Sequence, residues 1–207
     1  MNLLPQEQKI YAKLEFFYGV MNSSKTTNLL QINYNYKQLG YKPLILKPCL
    51  DTRNGEQKGW GIIESRLIKE NEKAYYLNSI YEEYEFLLKL IENEKYNIIL
   101  VDEVQFFSKT DIFLLSEFVD NLHIPTLCFG LKTDSNGDLF ESISKLIAIA
   151  DKITEVKQIC KCGHKATMHL RKINGKAILG NSIEIDSGDV EYESVCRKCW
   201  KKNLTEL

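Results

Sequence analysis

The chain has 207 residues, of which 44% are hydrophobic and 27% are charged, and this balance is typical of a soluble globular protein. Lys and Arg number 27 against 28 Asp and Glu, so the net charge of -1 argues against a free-standing nucleic-acid binder. The sequence has no apolar run of the roughly 18 residues that a membrane helix needs, and its N-terminus lacks the pattern of a signal peptide. We therefore expect a cytoplasmic protein without membrane or nucleic-acid partners.

Short apolar runs alternate with segments of helical period from residue 14 to about residue 150. The pattern predicts strands over residues 14–18, 44–47, 97–101 and 124–130, and helices over residues 25–39, 111–121 and 139–150. Ser79 and Glu82 predict a capping box at the start of a further helix, whose apolar face runs from Ile80 to Ile91. Residues 52–61, rich in glycine and polar residues, predict a mobile loop. This alternation predicts an α/β fold with a parallel sheet covered by helices on both faces.

The first chemical motif lies between the first predicted strand and the first predicted helix. It reads Gly19-Val20-Met21-Asn22-Ser23-Ser24-Lys25-Thr26. A nucleoside triphosphate needs backbone N–H groups around its phosphates, a lysine at the outer phosphates and a hydroxyl on Mg²⁺. Lys25 and Thr26 stand at the last two places, whereas Ser24 replaces the second glycine of G-x-x-x-x-G-K-[ST]. The motif predicts phosphate binding; the alternative is a plain strand-to-helix turn with a solvated lysine.

An acidic pair follows the third predicted strand. Residues 97–101 deliver Asp102 and Glu103 to the carboxyl end of a buried strand, which is where ligands bind in open α/β sheets. Asp102 fits the carboxylate that holds Mg²⁺, directly or through water, in P-loop enzymes. Glu103 points to the opposite face if the strand continues and into the site if the chain turns, where it would suit the work of a general base. The alternative is that both acids only solvate the end of a strand.

The sequence pattern changes near residue 158, after which there is no helical periodicity and four cysteines occur. Cys160, Cys162, Cys196 and Cys199 could satisfy a tetrahedral Zn²⁺ and leave no open position, so they predict a structural zinc site. Because only one residue separates the first pair, His164 is an alternative ligand, and free or buried thiols are the other alternative. Residues 171–193 predict a polar loop or hairpin between the pairs. The unpaired Cys49 and Cys128 are expected to be core residues.

Taken together, these motifs resemble those of the thymidine kinase family in its zinc-containing type II form. The resemblance runs from about residue 15 to residue 200. Its further landmarks are Lys47-Pro48 with Asp51-Thr52-Arg53, Asp102-Glu103-Val104-Gln105-Phe106-Phe107, Gly130-Leu131-Lys132-Thr133-Asp134 and Tyr192-Glu193-Ser194-Val195-Cys196-Arg197. It implies a P-loop NTPase-like parallel sheet flanked by helices over residues 1–157, and a small zinc-binding lasso domain over residues 158–207.

The resemblance also implies an activity, which is transfer of the γ-phosphate of ATP to the 5′-hydroxyl of thymidine in nucleoside salvage. It makes Glu103 the proton acceptor and Arg53 a stabiliser of charge on the transferring phosphoryl group. Residues 19–26 and 102–105, with Gln105 among them, form the ATP site, in which Thr26 and Asp102 hold Mg²⁺. The nucleoside-binding residues that it implies are Met21, Phe106 and Tyr192. A homotetramer is the usual assembly of this family.

Each residue that carries a role only by resemblance has a plainer alternative. Arg53 could be a solvated loop charge, Phe106 a core aromatic residue and Tyr192 a residue that packs a hairpin. Two positions depart from the family pattern, because Ser24 replaces a glycine and Ser135-Asn136 replaces an aromatic residue and an arginine.

The departures leave three hypotheses for function. The first is an active thymidine kinase, supported by intact Lys25, Thr26, Arg53, Asp102 and Glu103. The second is a catalytically weak paralogue that binds nucleotide as a regulatory module. The third is a P-loop ATPase with a zinc module for nucleic acid, which the balanced charge disfavours.

Overall fold

A seven-stranded sheet is the largest feature of the computed structural model, which describes residues 12–49, 58–65, 71–178 and 190–204. The strands of this sheet are β1 (Leu14–Tyr18), β2 (Pro43–Pro48), β3 (Gly59–Glu64), β4 (Asn71–Leu77), β5 (Ile98–Val101), β6 (Thr126–Gly130) and β7 (Lys152–Glu155). The helices are α1 (Lys25–Gln38), α2 (Tyr84–Glu94), α3 (Lys109–Asp120), α4 (Glu141–Ile149) and α5 (Arg197–Leu204). Among the described residues, no helix has the length and apolar character needed to cross a membrane.

The strand order of this sheet is β3-β4-β2-β5-β6-β1-β7. All neighbouring strands are parallel except β3, which pairs with β4 in the antiparallel sense. The carboxyl ends of β1, β2, β5 and β6 therefore meet at one edge, where open α/β sheets bind their ligands. The predicted α/β fold with a parallel sheet is confirmed, and β3 is its one antiparallel addition among the described strands.

Both faces of the sheet are covered by helices, as predicted. In β5, Ile99 and Val101 face one side while Ile98 and Leu100 face the other, because side chains alternate along a strand. Helix α1 covers the second side with Leu29 and Leu30, and α2, α3 and α4 cover the first. Burial of each such aliphatic side chain contributes about 1.5–3 kcal/mol, so the two cores fix the strands that carry the site.

The predicted capping box at Ser79 and Glu82 is wrong, because α2 begins only at Tyr84 and has no side-chain cap. The Ser79 hydroxyl instead donates to Asp111 Oδ1 at 2.8 Å, which leaves it only a long 3.4 Å contact with the Glu82 N–H. A reciprocal capping box does form at α3, between Ser108 and Asp111. Asp111 thus joins the start of α3 to the segment that precedes α2.

The loop predicted over residues 52–61 is wrong at its end, since residues 59–61 belong to β3; residues 52–57 lie outside the described part of the chain. Packing explains the presence of Gly61, one of the glycines that suggested a loop. A Cβ on Gly61 would lie 2.7 Å from the ring of Tyr76 on the neighbouring strand, so only glycine lets the ring lie there. Strands β3, β4 and β7 were not predicted from the sequence.

A second, three-stranded antiparallel sheet follows, built from β8 (Met168–Ile173), β9 (Lys176–Ile178) and β10 (Val190–Val195). Asn174 and Gly175 join β8 to β9 with positive φ at both residues, the geometry of a type I′ hairpin turn. The hairpin alternative for residues 171–193 is confirmed at this turn, and residues 179–189 lie outside the described part. We call residues 158–178 and 190–204, with the four clustered cysteines, the cysteine module.

Candidate active site

The phosphate loop, residues 19–26, connects the carboxyl end of β1 to the start of α1. The Gly19 N–H donates to the Gly130 carbonyl at 3.3 Å, which ties the start of the loop to the end of β6. A Cβ on Gly19 would lie 2.3 Å from Ser23 Oγ and 2.5 Å from the Val156 carbonyl. The close approach of these atoms explains why a glycine opens the motif.

The replacement of glycine by Ser24 has a conformational cost. Ser24 lies in the left-handed region with φ 66° and ψ 26°, and Asn22 is also left-handed with φ 59°. A non-glycine residue held there costs about 1–3 kcal/mol, which the surroundings must offset. The Ser24 side chain makes no capping hydrogen bond to α1 that would recover part of this cost. The departure noted in the sequence is thus a point of strain in the loop.

Lys25 and Thr26 both face the inside of the site. Lys25 is 8% exposed, and its Nζ donates to the Val20 carbonyl at 2.9 Å, across the mouth of the loop. The Thr26 hydroxyl donates to Asp102 Oδ2 at 3.3 Å. The fold therefore brings the two halves of the predicted site, which are 76 residues apart in sequence, into direct contact.

Asp102 is buried at the end of β5, with 2% of its surface exposed. Burial, and then the charge of Glu103, raise the pKa of Asp102 to about 7, while Lys47 and Lys25 act in the opposite direction. Lys47 is itself buried, at 6% exposure, and lies over the ring of Tyr76. Sequence reasoning assigned Lys47 no role, although a lysine near the end of an otherwise apolar strand was a usable signal. Two buried cations therefore accompany the acidic pair.

Glu103 lies at the point where the chain leaves β5. Its φ of 50° turns the backbone into a short 3₁₀ helix, Val104–Phe106, so the chain turns here and does not continue as a strand. Gln105 Nε2 donates to Glu103 Oε2 at 2.6 Å, and Gln105 Oε1 accepts from the Leu131 N–H at 3.0 Å. Gln105 is buried and thereby fixes the Glu103 carboxylate relative to β6. Its predicted contact with ATP stays a prediction.

The residues predicted to bind the nucleoside lie on three separate segments. Phe106 is half-buried and packs edge-to-face on Phe140, with 6.3 Å between ring centroids. Met21 belongs to the phosphate loop, and its carbonyl accepts from Ser194 Oγ at 2.6 Å. Ser194 lies two residues after Tyr192 on β10, so this strand runs beside the loop. Arg53 lies outside the described residues.

The segment that carries Ser135 and Asn136 is a compact turn attached to the cysteine module. The Asp134 carboxylate accepts the N–H groups of Asn136 and Asp138, both at 2.9 Å. The indole N–H of Trp200 donates to the Ser135 carbonyl at 3.0 Å. This turn therefore links the edge of the large sheet to α5.

The four clustered cysteines have the geometry of a metal site. The sulfur atoms of Cys160, Cys162, Cys196 and Cys199 all lie within 4.8 Å of one another. Cys162 Sγ is 3.4 Å from Cys160 Sγ and 3.6 Å from Cys196 Sγ. Zn–S bonds of about 2.3 Å at tetrahedral angles place sulfurs about 3.8 Å apart, so the set fits a structural zinc ion.

The surroundings of the cluster favour thiolates at two of its members. Backbone N–H groups of Cys162 and Cys196 lower the pKa of Cys160 to about 7, and the N–H of Cys199 lowers the pKa of Cys196. Side-chain hydrogen bonds with Cys162 and Cys196 raise the pKa of Cys199 to about 12. His164 Nδ1 lies 3.4 Å from the sulfur of Cys162, outside the group of four. The four-cysteine set is therefore the one that the fold assembles.

Comparison with known proteins decides the family. The family model described as thymidine kinase matches residues 12–200, which is most of the chain. The chain belongs to the thymidine kinase family. It is thus an enzyme of a family of kinases, as the motifs indicated.

Similar members of the thymidine kinase family come from several bacteria. The thymidine kinase of Francisella tularensis subsp. tularensis is 42% identical over 201 residues, covering 94% of this chain and 100% of the relative. That of Vibrio vulnificus strain CMCP6 is 43% identical over 197 residues, covering 93% and 98%. That of Rhodopirellula baltica is 42% identical over 199 residues, covering 93% and 90%. The likeness therefore extends over nearly the whole length of each protein.

Proposed function

We propose that this member of the thymidine kinase family transfers the γ-phosphate of ATP to the 5′-hydroxyl of thymidine and so forms dTMP, a DNA precursor. The observation that carries the proposal is the contact between Thr26 and Asp102 at 3.3 Å, with Glu103 beside it. This contact joins the phosphate loop to the acidic pair, at the edge of the sheet where open α/β folds usually bind their ligands. Phosphoryl transfer needs both parts in one place, because its catalysis consists mainly of positioning and charge neutralisation.

On the ATP side, residues 19–26 would surround the phosphates with their N–H groups at the N-terminus of α1. Lys25, now donating to the Val20 carbonyl, would turn its ammonium to the outer phosphates. Thr26 and Asp102 are the residues that would hold Mg²⁺. The ion, when bound, neutralises charge on the phosphate oxygens.

On the acceptor side, Glu103 would take the proton of the 5′-hydroxyl group while the oxygen of that hydroxyl bonds to the γ-phosphorus. The bond from that phosphorus to the β,γ-bridging oxygen breaks, and ADP leaves with the electron pair. Gln105 holds Glu103 at 2.6 Å, so the base is oriented before the substrate binds. We assign Arg53 to stabilise the transferring phosphoryl group and Gln105 additionally to the ATP site.

The nucleoside would bind between the two sheets. We assign Met21, Phe106 and Tyr192 to this pocket, because β10 and the phosphate loop are in contact through Ser194 and Met21. In this proposal residues 1–157 form the ATP-binding domain, and residues 158–207 form a zinc-pinned lasso domain over the nucleoside. We further propose a cytoplasmic homotetramer, for which the assembled mass in solution is the test.

One observation favours a second candidate, a catalytically weak regulatory paralogue: the strained serine in the phosphate loop, Ser24 at φ 66°. A phosphoryl-transfer assay with ATP, Mg²⁺ and each common nucleoside separates the two. Turnover of thymidine, with little or none of cytidine and the purine nucleosides, supports the kinase. Binding of ATP without turnover of any nucleoside would contradict it and favour the paralogue.

A further inference from the structure

The phosphate loop shares a hydrophobic core with the cysteine module. Val20, 6% exposed, belongs to neither core of the seven-stranded sheet. It lies in a third cluster whose other buried members are Cys160, Ala166, Leu170, Ala177, Val195 and Cys196. Two of these are cysteines of the metal set. One loop residue is therefore part of the packing around the cluster.

Two side chains of the module also hold the main chain of the loop. Ser194 Oγ donates to the Met21 carbonyl at 2.6 Å, and Gln158 Nε2 donates to the Asn22 carbonyl at 2.8 Å. Gln158 is itself fixed, because its main-chain carbonyl accepts from the Ala166 N–H at 2.9 Å. Three consecutive loop residues, numbers 20–22, are thus held by the module.

These contacts act where the loop is strained. Asn22 has a left-handed backbone, and its carbonyl accepts a hydrogen bond from Gln158. Ser24, two residues later, also has a left-handed backbone. Because each peptide unit is planar, a carbonyl fixed toward the module turns the next N–H to the opposite side. There the Ser23 N–H and Lys25 Nζ converge on the Val20 carbonyl at 3.3 and 2.9 Å. The module thus helps to set the direction of the Ser23 N–H, one of the backbone donors that a phosphate would need.

We propose that Ser194 and Gln158 are positioning residues of the phosphate loop, through which the zinc-loaded cysteine module sets nucleotide affinity. The proposal rests on the proposed use of residues 19–26 for nucleotide. It gives the metal site a role on the ATP side of the enzyme as well as in folding its own strands. Neither Ser194 nor Gln158 touches the nucleotide in this account; both act through the backbone of the loop.

The first test is the affinity of the full, zinc-loaded chain for Mg²⁺-ADP, measured by calorimetry with zinc content determined in parallel. Ser194→Ala removes one hydroxyl-to-carbonyl bond and is expected to raise Kd about three- to tenfold. Ser194→Thr keeps the hydroxyl and should restore affinity. Ser144→Ala is the matched control, because Ser144 Oγ donates to the Glu141 carbonyl at 2.6 Å on the exposed side of α4. It should leave Kd unchanged.

Gln158→Ala should act in the same direction as Ser194→Ala, and the double variant should bind Mg²⁺-ADP more weakly than either. A double variant that keeps its zinc and the wild-type Kd would overturn the proposal. Failure of the wild-type chain to bind Mg²⁺-ADP would instead contradict the proposed nucleotide site, and a second readout tests the coupling in that event.

That readout is amide hydrogen exchange of the nucleotide-free full chain. Removing zinc with a chelator, or combining Ser194→Ala with Gln158→Ala, should speed exchange in residues 19–26. Exchange in the buried strands β5 and β6 should stay the same. If zinc removal accelerated exchange only within the cysteine module and left residues 19–26 unchanged, the coupling would be wrong.

Discussion

At the scale of single residues, the candidate site contains residues with an unfavourable backbone conformation and a carboxylate whose charge is disfavoured by burial. Ser24 and Glu103 are both left-handed, and Asp102 is buried with its pKa raised. The sequence indicated the strain at Ser24, since glycine is usual there. It could not indicate that Gln105 would hold Glu103, because this contact forms only where the chain turns left-handed at Glu103. Nor could it indicate that Lys47 would act on the pKa of Asp102, because the two residues come from different strands.

Ser24→Gly should stabilise the protein. Glycine adopts φ near 66° without a Cβ penalty, and the serine side chain makes no capping bond that would be lost. We expect the free energy of unfolding to rise by about 1 kcal/mol, measured by denaturant titration. Ser24→Ala is the control, because it keeps the Cβ and should bring no gain. Equal stability of the two variants would show that the backbone at residue 24 is not strained.

His169 should make stability depend on pH. Burial, and then the charge of Lys25, lower the pKa of His169 to about 4, so only the unfolded chain takes up this proton between pH 6.5 and 4. The contribution of a neutral His169 is therefore complete above pH 6.5 and is lost as pH falls toward 4.

The test compares the wild type with His169→Gln. The wild type should lose about 2 kcal/mol relative to the variant between pH 6.5 and 5, measured from unfolding midpoints. Because all other groups titrate in both proteins, their effects cancel in the difference. Stability curves that stay parallel over this interval would mean that the folded chain takes up the His169 proton as readily as the unfolded chain, so that the fold does not lower this pKa.

At the scale of elements, the helices and the parallel strands next to the site could be predicted because each has a strong local signal. The buried strands over residues 98–101 and 126–130 read as continuous apolar runs, and the helices show their period. Strands β3 and β4 could not be read in this way. Gly61 looks like a loop residue until the ring of Tyr76 lies over it, and that contact comes from the neighbouring strand.

The start predicted for α2 was wrong for a similar reason, because a carboxylate distant in sequence binds the Ser79 hydroxyl that was expected to cap the helix. Asp111 accepts hydrogen bonds from Ser79 Oγ and the Tyr81 N–H, both at 2.8 Å, besides capping α3. Asp111→Ala should therefore cost about 2–4 kcal/mol of stability, measured by thermal or denaturant unfolding. Asp120→Ala, at the exposed end of the same helix, is the matched control. Equal effects of the two changes would contradict the bridging role of Asp111.

At the scale of the whole molecule, the parallel sheet carries the phosphate loop and the acidic pair, and the cysteine module contacts that loop at residues 20–22. The family could be predicted from the resemblance of the motifs, and the cysteine set from the number and placement of the cysteines. The sharing of Val20 between loop and module could not, because it depends on the packing of residues about 140 positions or more away in sequence. The phosphate loop and the cysteine module are therefore joined by shared packing and by side-chain hydrogen bonds.

The kcat of Glu103→Gln with ATP, Mg²⁺ and thymidine is the decisive test of the proposed phosphoryl transfer. Gln keeps the size and hydrogen-bonding shape of Glu103 but cannot take the proton, so kcat should fall by about 10²- to 10⁴-fold. Mg²⁺-ADP affinity should stay near that of the wild type, and Glu85→Gln, on α2, should keep full activity. A Glu103→Gln enzyme with unchanged kcat would contradict the assignment of Glu103 as the base.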